Sequence, residues 1–343
     1  FQDARITAWP GIQGVSGRAE VRGRLASDDF WPRTSKEFEV RALYADFERT
    51  AFRVRAGRQV HGGGLGQYPF DGGAVLWRGF EAIRVEAFGG RSLARTVFES
   101  YTGSLIAESD DLPPDKGAVL WGVEGWGRVS SLSGTVLYQR EIRTDRIGLY
   151  SERVAADGRW DSKPATVEGS ADFDVATGDF NEARLRLRSS FARSWFALAE
   201  FRHYRPFFEL WTIWGAFSPV GYNEGRAMLH WSPRPRLQLE GSVAYRRYED
   251  TEAGTSFLRV ENDGWRPEAA VTWSRGTWDA SLRYTARIGF GAFRSSLDVS
   301  GGRQFGSHLY LAAHATGNQQ FSEFRFGEGR TYGAGVLGRG LAL

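Results

Sequence analysis

Polar and apolar residues alternate along most of this 343-residue chain. Within residues 15–25, for example, Val15 and Val21 fall on one side of an extended chain, and Arg18 and Arg22 fall on the other. The same period recurs in several further windows, at residues 51–60, 165–175, 184–191, 236–246 and 278–287. Side chains of a β-strand point alternately to its two faces, so this pattern predicts strands with one apolar and one polar face.

Continuing the alternation along the chain predicts about 18 strands of roughly 10 residues each. Helical periodicity is scarce, so we expect an all-β fold. The predicted strand cores occupy residues 14–26, 37–48, 50–60, 79–88, 93–101, 117–127, 129–142, 145–156, 164–176, 181–191, 194–204, 222–232, 236–247, 265–274, 277–287, 292–302, 307–316 and 331–341.

The predicted connections differ in length between the two ends of the strands. Those after even-numbered strands are mostly short, as at Glu48-Arg49-Thr50, Gly89-Gly90-Arg91 and Arg275-Gly276. Several of those after odd-numbered strands are long, at residues 61–78, 102–116, 205–221, 248–264 and 317–330. Short periplasmic turns and long extracellular loops are typical of transmembrane barrels. A soluble propeller, the main alternative, would show repeats of about 40–50 residues, and none is found.

The sequence therefore predicts a transmembrane antiparallel β-barrel of about 18 strands in the bacterial outer membrane. Residues 1–13 are expected to form an N-terminal periplasmic segment, and residues 14–343 the barrel. Aromatic residues near the ends of predicted strands, such as Trp77, Trp195 and Trp231, fit the aromatic girdles that such barrels place at the two lipid interfaces. The outer-membrane lipids are the first expected partner.

Composition excludes several other classes. The chain has no cysteine, which excludes disulfides, Cys-ligated zinc, iron–sulfur clusters and c-type haem attached to it. No run of about 18 apolar residues could cross a bilayer as a helix. The net charge is only +3, so nucleic acid is not an expected partner. No metal, cofactor or catalytic residue is expected, because the five histidines show no metal-binding spacing and no nucleophile elbow is found.

A group of arginines is predicted to line the lumen of the barrel: Arg18, Arg22, Arg24, Arg53, Arg55 and Arg58. If these side chains lack acidic partners, they would create a field that attracts anions and would grip carboxylate or phosphate groups. The alternative is that cross-strand ion pairs brace the wall. Pairing is favoured where Glu168, Asp172 and Asp174 lie one strand before Arg184, Arg186 and Arg188. A different set of arginines is expected to have few acidic partners, namely Arg18, Arg22, Arg24, Arg53 and Arg55.

The segment 205–221 is unusually apolar for a loop. Four of its large side chains would be costly in water, namely Phe207, Phe208, Trp211 and Trp214. They could form a constriction in the pore or a docking surface for another protein. The alternative is an extended strand that packs on neighbouring loops.

The stretch Arg55-Ala56-Gly57-Arg58-Gln59 is followed by a glycine-rich segment and by Phe70-Asp71-Gly72. This pattern resembles outer-membrane barrels of the alginate-export type and related porin-like families. The resemblance covers about 20 residues, and beyond them rests on strand number and arginine content. It implies an 18-stranded barrel with a basic lumen. The predicted lumen of this chain also carries many acids, unlike the strongly basic lumen of that family.

Three functions follow as hypotheses. The first is a channel that passes anionic or saccharide solutes or polymers, which requires a wet lumen and sites weak enough to release the solute. The second is a structural sheath that encircles or docks a periplasmic or cell-surface partner protein, such as a multihaem cytochrome or a periplasmic export component. The third is a barrel enzyme with a site at its rim near His61 or His203, although no complete catalytic motif is present.

Overall fold

The computed structural model describes residues 2–25, 36–93, 118–144, 148–205, 221–249, 263–289, 292–307, 309–326 and 329–335. Within these ranges the chain is all-β, with nineteen strands and no helix. Neighbouring strands pair antiparallel and belong to one sheet. The all-β secondary structure predicted from the alternating sequence is therefore confirmed within these ranges.

The strands are β1 (Gln2–Ala8), β2 (Val15–Leu25), β3 (Lys36–Glu48), β4 (Phe52–Gly63), β5 (Gly66–Phe80), β6 (Ile83–Ser92), β7 (Ala118–Val129), β8 (Leu132–Arg143), β9 (Leu149–Asp161), β10 (Ala165–Asp174), β11 (Asp179–Ala192), β12 (Trp195–Tyr204), β13 (Tyr222–Arg234), β14 (Leu237–Tyr248), β15 (Asp263–Arg275), β16 (Trp278–Gly289), β17 (Ala292–Phe305), β18 (Leu309–Phe326) and β19 (Gly329–Gly335). Most of the predicted strand cores coincide with these elements to within a few residues.

The N-terminal segment contains a strand that the sequence pattern did not predict. Strand β1 pairs antiparallel with β2, and Asp3 lies opposite Arg22 in this ladder. Residues 1–13 therefore contribute a strand to the sheet.

Three predicted connections are wrong. Residues 61–78 are not a long loop, because β4 and β5 form a hairpin whose connection is only Gly64 and Leu65. Residues 89–91 are not a turn, because they lie within β6. Residues 317–330 belong largely to β18 and the start of β19. Glycine and polar residues made these stretches look like loops, whereas the ladders on both sides keep them extended. The predicted strand 93–101 and loop 102–116 lie almost entirely outside the described residues.

The chain divides into two compact units. The first spans Phe1–Trp160, Ser170–Ala183 and Pro206–Pro219, and the second spans Asp161–Gly169, Arg184–Arg205 and Val220–Leu343. Among the described residues, no helix has both the length and the apolar character needed to cross a membrane.

In the first unit, the ladders place Arg53, Leu76, Glu86 and Glu124 side by side on one face of β4 to β7. We call this the charged face of the unit. The intervening positions form its apolar face, on which Val54, Val75, Ala87 and Val123 lie side by side.

Burial on these two faces is opposite to that of a soluble protein. Val75 and Val123 on the apolar face are 49% and 42% exposed, whereas Glu124 on the charged face is 3% exposed. A hydrophobic core also lies on the charged face, formed by Leu65, Tyr68, Phe70, Ala74, Phe88, Leu120, Leu137 and Ala155. Polar and apolar side chains are therefore covered together on one side, while large apolar side chains are uncovered on the other.

The second unit has the same two-faced order. Val271, Leu282 and Val299 lie side by side on β15, β16 and β17, and all three are exposed. The alternate positions carry polar groups, and Arg283 lies opposite Asp298 there. The predicted alternation of an apolar and a polar face is thus confirmed in each unit.

Candidate functional site

Two of the arginines predicted to line the lumen lie on β2 and are ion-paired. Arg18 donates to Glu20 at 2.8 Å, and Arg22 donates to Asp3 at 2.7 Å. Glu20 also accepts a hydrogen bond from Arg5 of β1 at 3.2 Å. Strand β1 therefore brings further charged side chains to the charged face, among them the acid that neutralises Arg22.

Two further arginines of this group lie on β4. Arg55 makes a two-pronged contact with Asp46, at 2.9 and 3.1 Å, and its guanidinium lies 4.1 Å from the centroid of the Tyr44 ring. Arg53 Nη2 lies 3.6 Å from Glu86 Oε2. Both arginines are on the charged face, and both have an acidic partner on another strand.

Arg58 lies elsewhere. Arg58 pairs with Leu43 of β3 on one side and with Asp71 of β5 on the other. It therefore lies on the face of the sheet opposite to Arg53 and Arg55. It makes a two-pronged contact with Asp71, with both distances 2.8 Å. The structure therefore does not bring Arg58 together with the other arginines of β4.

The expectation of few acidic partners is wrong for Arg18, Arg22, Arg53 and Arg55. Their acids come from β1, β2, β3 and β6, and the sequence does not show which strands meet at which register. For Arg24 only the backbone is described, opposite Glu37 of β3. The residues Phe207, Phe208, Trp211 and Trp214 lie outside the described residues.

In the second unit, the predicted wall pairs are present. Glu168 lies 3.8 Å from Arg186 and 3.3 Å from Arg188, and Glu200 accepts hydrogen bonds from Arg184 and Arg186 at 2.9 and 2.6 Å. Cross-strand pairing of opposite charges is favourable on a sheet. The expected pairing of this group of arginines is confirmed for Glu168, whereas Asp172 pairs with Arg153 of β9 instead.

A line of glycines crosses the β4–β5 hairpin and continues into β6. Gly57, Gly72 and Gly90 occupy one register row across β4, β5 and β6. Gly57 has φ +125°, a conformation that favours glycine. A Cβ on Gly72 would lie 2.6 Å from the Cα of Gly90 and would overlap the carbonyl oxygen of Gly89. The close approach of these backbones therefore requires glycine.

Beyond this line, the end of the hairpin lies on the charged face of neighbouring strands. A Cβ on Gly63 would lie 2.8 Å from Leu137 Cδ2 of β8, and a Cβ on Gly64 would lie 2.9 Å from the Cβ of Ala155 of β9. Leu65 is buried in this contact. We call residues 61–68 the docked hairpin.

Arg153 of β9 fastens the docked hairpin. Its Nη1 donates to the Tyr68 hydroxyl at 2.9 Å and to the Leu65 carbonyl at 3.4 Å. Its Nε and Nη2 donate to the Asp172 carboxylate, which also accepts from Asn181. The side chain of Arg153 is only 7% exposed, so the paired carboxylate is needed to compensate its burial.

His61 makes a second attachment. Its ring stacks on Phe88 with the centroids 3.8 Å apart, and its Nε2 lies 3.0 Å from Glu124 Oε2. Its Nδ1 lies 3.9 Å from Glu86 Oε1. Glu86 and Glu124 face each other across β6 and β7, an arrangement in which like charges repel. Arg53 lies beside this acidic pair, and its positive charge reduces the repulsion between the two carboxylates. His61 also lies beside the pair and has the same effect in its protonated form.

On the same face as Arg153, β8 and β9 carry a row of buried polar residues. Gln139 lies opposite Arg153 in the β8–β9 ladder and is 1% exposed. Neither side-chain polar atom of Gln139 has a hydrogen-bond partner among the described residues. Glu141 and Ser151 form the adjacent buried pair of the same face. The buried side chains of β8 and β9 on this face are thus polar as well as apolar.

The described ranges contain no group of three or more His, Cys, Asp or Glu side chains arranged to bind a metal. No protein-family model matches the chain, and no curated protein is similar enough to count as a relative. Sequence reasoning missed Arg153 and the docking of the hairpin. The one sequence signal for the docking was the set of glycines at 57, 72 and 90. Only the pairing register of β4, β5 and β6 shows that these glycines form one row.

Proposed function

We propose that the protein is an outer-membrane β-barrel of about 18 strands, with the apolar faces toward lipid and the charged faces toward a lumen. The observation that carries this proposal is the reversed burial of the two faces. Trp121 and Val123 of β7 are 40% and 42% exposed, while Glu124 beside them is nearly fully covered. A bilayer removes the cost of such apolar exposure, because lipid replaces water at those side chains.

The function that this arrangement supports best is a channel for anionic or saccharide solutes. Guanidinium and carboxylate groups alternate on the charged faces, as in the pairs Arg55–Asp46 and Arg246–Glu224. Such a wall offers hydrogen-bond donors and acceptors to hydroxyl groups and holds water. Passage of a polar solute requires only that these contacts be weak enough to break again.

Among the predicted pore-lining residues, Arg18, Arg22, Arg53 and Arg55 carry this proposal, because they lie on the charged face. Arg58 lies on the opposite face. The saccharide part of this proposal comes from the sequence resemblance to alginate-export barrels, and the permeation measurement described below tests it.

A structural sheath is the second candidate, favoured by the ion pairing of the arginines. Paired arginines leave a weak field for attracting anions, and they brace a wall around any occupant. In this case the lumen would be filled by a partner protein rather than by water.

Reconstitution of the purified barrel separates the two candidates. A channel gives stepwise conductance in planar bilayers, and liposomes that contain it swell in solutions of small saccharides. Folding is checked by the shift in gel mobility between unheated and boiled protein. Folded protein that neither conducts nor permits swelling would contradict the channel and favour the sheath, for which a co-purifying periplasmic or surface protein is the expected companion.

A further inference from the structure

We propose that the docked hairpin is the selectivity element of the channel, and that it admits uncharged, hydroxylated solutes according to their size. This inference rests on the proposed channel function and adds the place of the constriction and the class of solute. It follows from the position of the hairpin, from how it is fastened, and from the chemistry of its uncovered edge.

The position follows from the contacts of the hairpin end. Gly63 and Gly64 reach Leu137 of β8 and Ala155 of β9, on the face that would line the lumen. Residues 61–68 therefore occupy space in front of the wall rather than continuing the strands outward. In a channel, a segment that stands in front of the wall narrows the path beside it.

The attachments are buried and specific. Arg153 is bonded to Tyr68 and Leu65 on the hairpin and to Asp172 on β10. His61 stacks on Phe88 at the other side of the hairpin base. These attachments, together with the glycine line, hold the hairpin in one place, as a fixed constriction requires.

The uncovered edge carries no charge. Gly62, Gly63, Gly64, Gly66 and Gln67 are exposed, whereas Leu65 and Tyr68 are buried. This edge presents backbone N–H and C=O groups and one amide side chain. Such groups hydrogen-bond hydroxyls without attracting either sign of charge. Selection at this place is therefore by size and hydrogen bonding, which suits a neutral saccharide better than a small anion.

A cysteine probe tests the position, because the chain contains no cysteine of its own. A Cβ at Gly62 has only an ordinary contact, with Gln67 Cγ at 4.0 Å, so the Gly62→Cys variant should fold. Modification with a bulky cationic methanethiosulfonate is expected to lower its conductance at least about twofold, because the narrowest section controls passage. The matched control is Val75→Cys on the apolar face, where modification should leave conductance unchanged.

A shortened hairpin tests the selectivity. Replacing residues 62–67 by an Asn-Gly turn should raise conductance and let longer neutral oligosaccharides swell the liposomes, with little change in the anion-to-cation permeability ratio. If neither the wild type nor any folded variant conducts, the channel itself is contradicted. If the wild type conducts, but the shortened hairpin and the modified Gly62→Cys variant behave like it, the channel stands and the hairpin inference is overturned.

Discussion

The guanidinium of Arg153 donates a hydrogen bond to the hydroxyl of Tyr68 at 2.9 Å, although the two residues are 85 positions apart in the sequence. Because Arg153 belongs to β9 and Tyr68 belongs to the docked hairpin, this bond connects a strand of the sheet to the segment lying on it. Both residues are buried, so water cannot fully replace this hydrogen bond when it is lost.

Tyr68→Phe should loosen the docked hairpin. The hydroxyl both accepts from Arg153 and donates to the Leu65 carbonyl at 3.0 Å, and removing it should lower the free energy of opening the hairpin by about 1 to 2 kcal/mol. Hydrogen exchange of residues 61–68, followed by mass spectrometry, would measure the change. Tyr245→Phe is the control, because its hydroxyl bonds Asp263 away from the hairpin. Equal exchange in both variants would contradict the fastening role.

Arg153→Met should destabilise the protein more strongly. The substitution leaves the mostly buried Asp172 carboxylate without its main counter-charge. This should lower the free energy of unfolding by about 3 to 5 kcal/mol. The double variant Arg153→Met, Asp172→Asn removes the stranded charge and should recover part of that loss. Urea unfolding of both variants and of Asp172→Asn completes a double-mutant cycle. Additive effects of the two changes would show that the pair is not coupled.

The two-faced strands could be predicted from the sequence because alternation is a local property of each strand. Val75 and Trp77 are exposed on the same face because they are two positions apart, and the sequence shows this directly. Ion pairing depends instead on register between strands. Asp3 reaches Arg22 only because β1 pairs with β2, and the composition of β2 contains no sign of it.

The docked hairpin was missed for a related reason. Its residues are rich in glycine and are followed directly by Pro69, so local signals favour a loop over strands. Paired strands continue through this stretch nevertheless, from Gln59 opposite Phe70 to Gly63 opposite Gly66. Tertiary contacts with β7, β8 and β9 stabilise this paired, extended conformation, which the local sequence does not favour.

The glycine line should tolerate no side chain at Gly72. Gly72→Ala places a Cβ 2.6 Å from the Cα of Gly90, so the backbones must separate, at a cost of about 1 to 3 kcal/mol. Its neighbour Gly73 is the matched control, since a Cβ there would make only an ordinary contact, 3.6 Å from the carbonyl oxygen of Arg55. Thermal unfolding in detergent should show a lower midpoint for Gly72→Ala alone. Equal midpoints for the two alanine variants would mean that the close approach is not required.

In the proposed channel, ion selectivity should follow unpaired charge rather than arginine content. Arg55→Gln leaves Asp46 without its two-pronged partner and adds one net negative charge to the charged face, so the reversal potential under a salt gradient should move toward cation preference. Asp46→Asn should move it in the opposite direction. The double variant removes the pair at constant net charge and should return to the wild-type value, because a paired guanidinium contributes little field to the path. A double variant that stays as cation-selective as Arg55→Gln would show that Arg55 acts on ions directly, despite its pairing with Asp46.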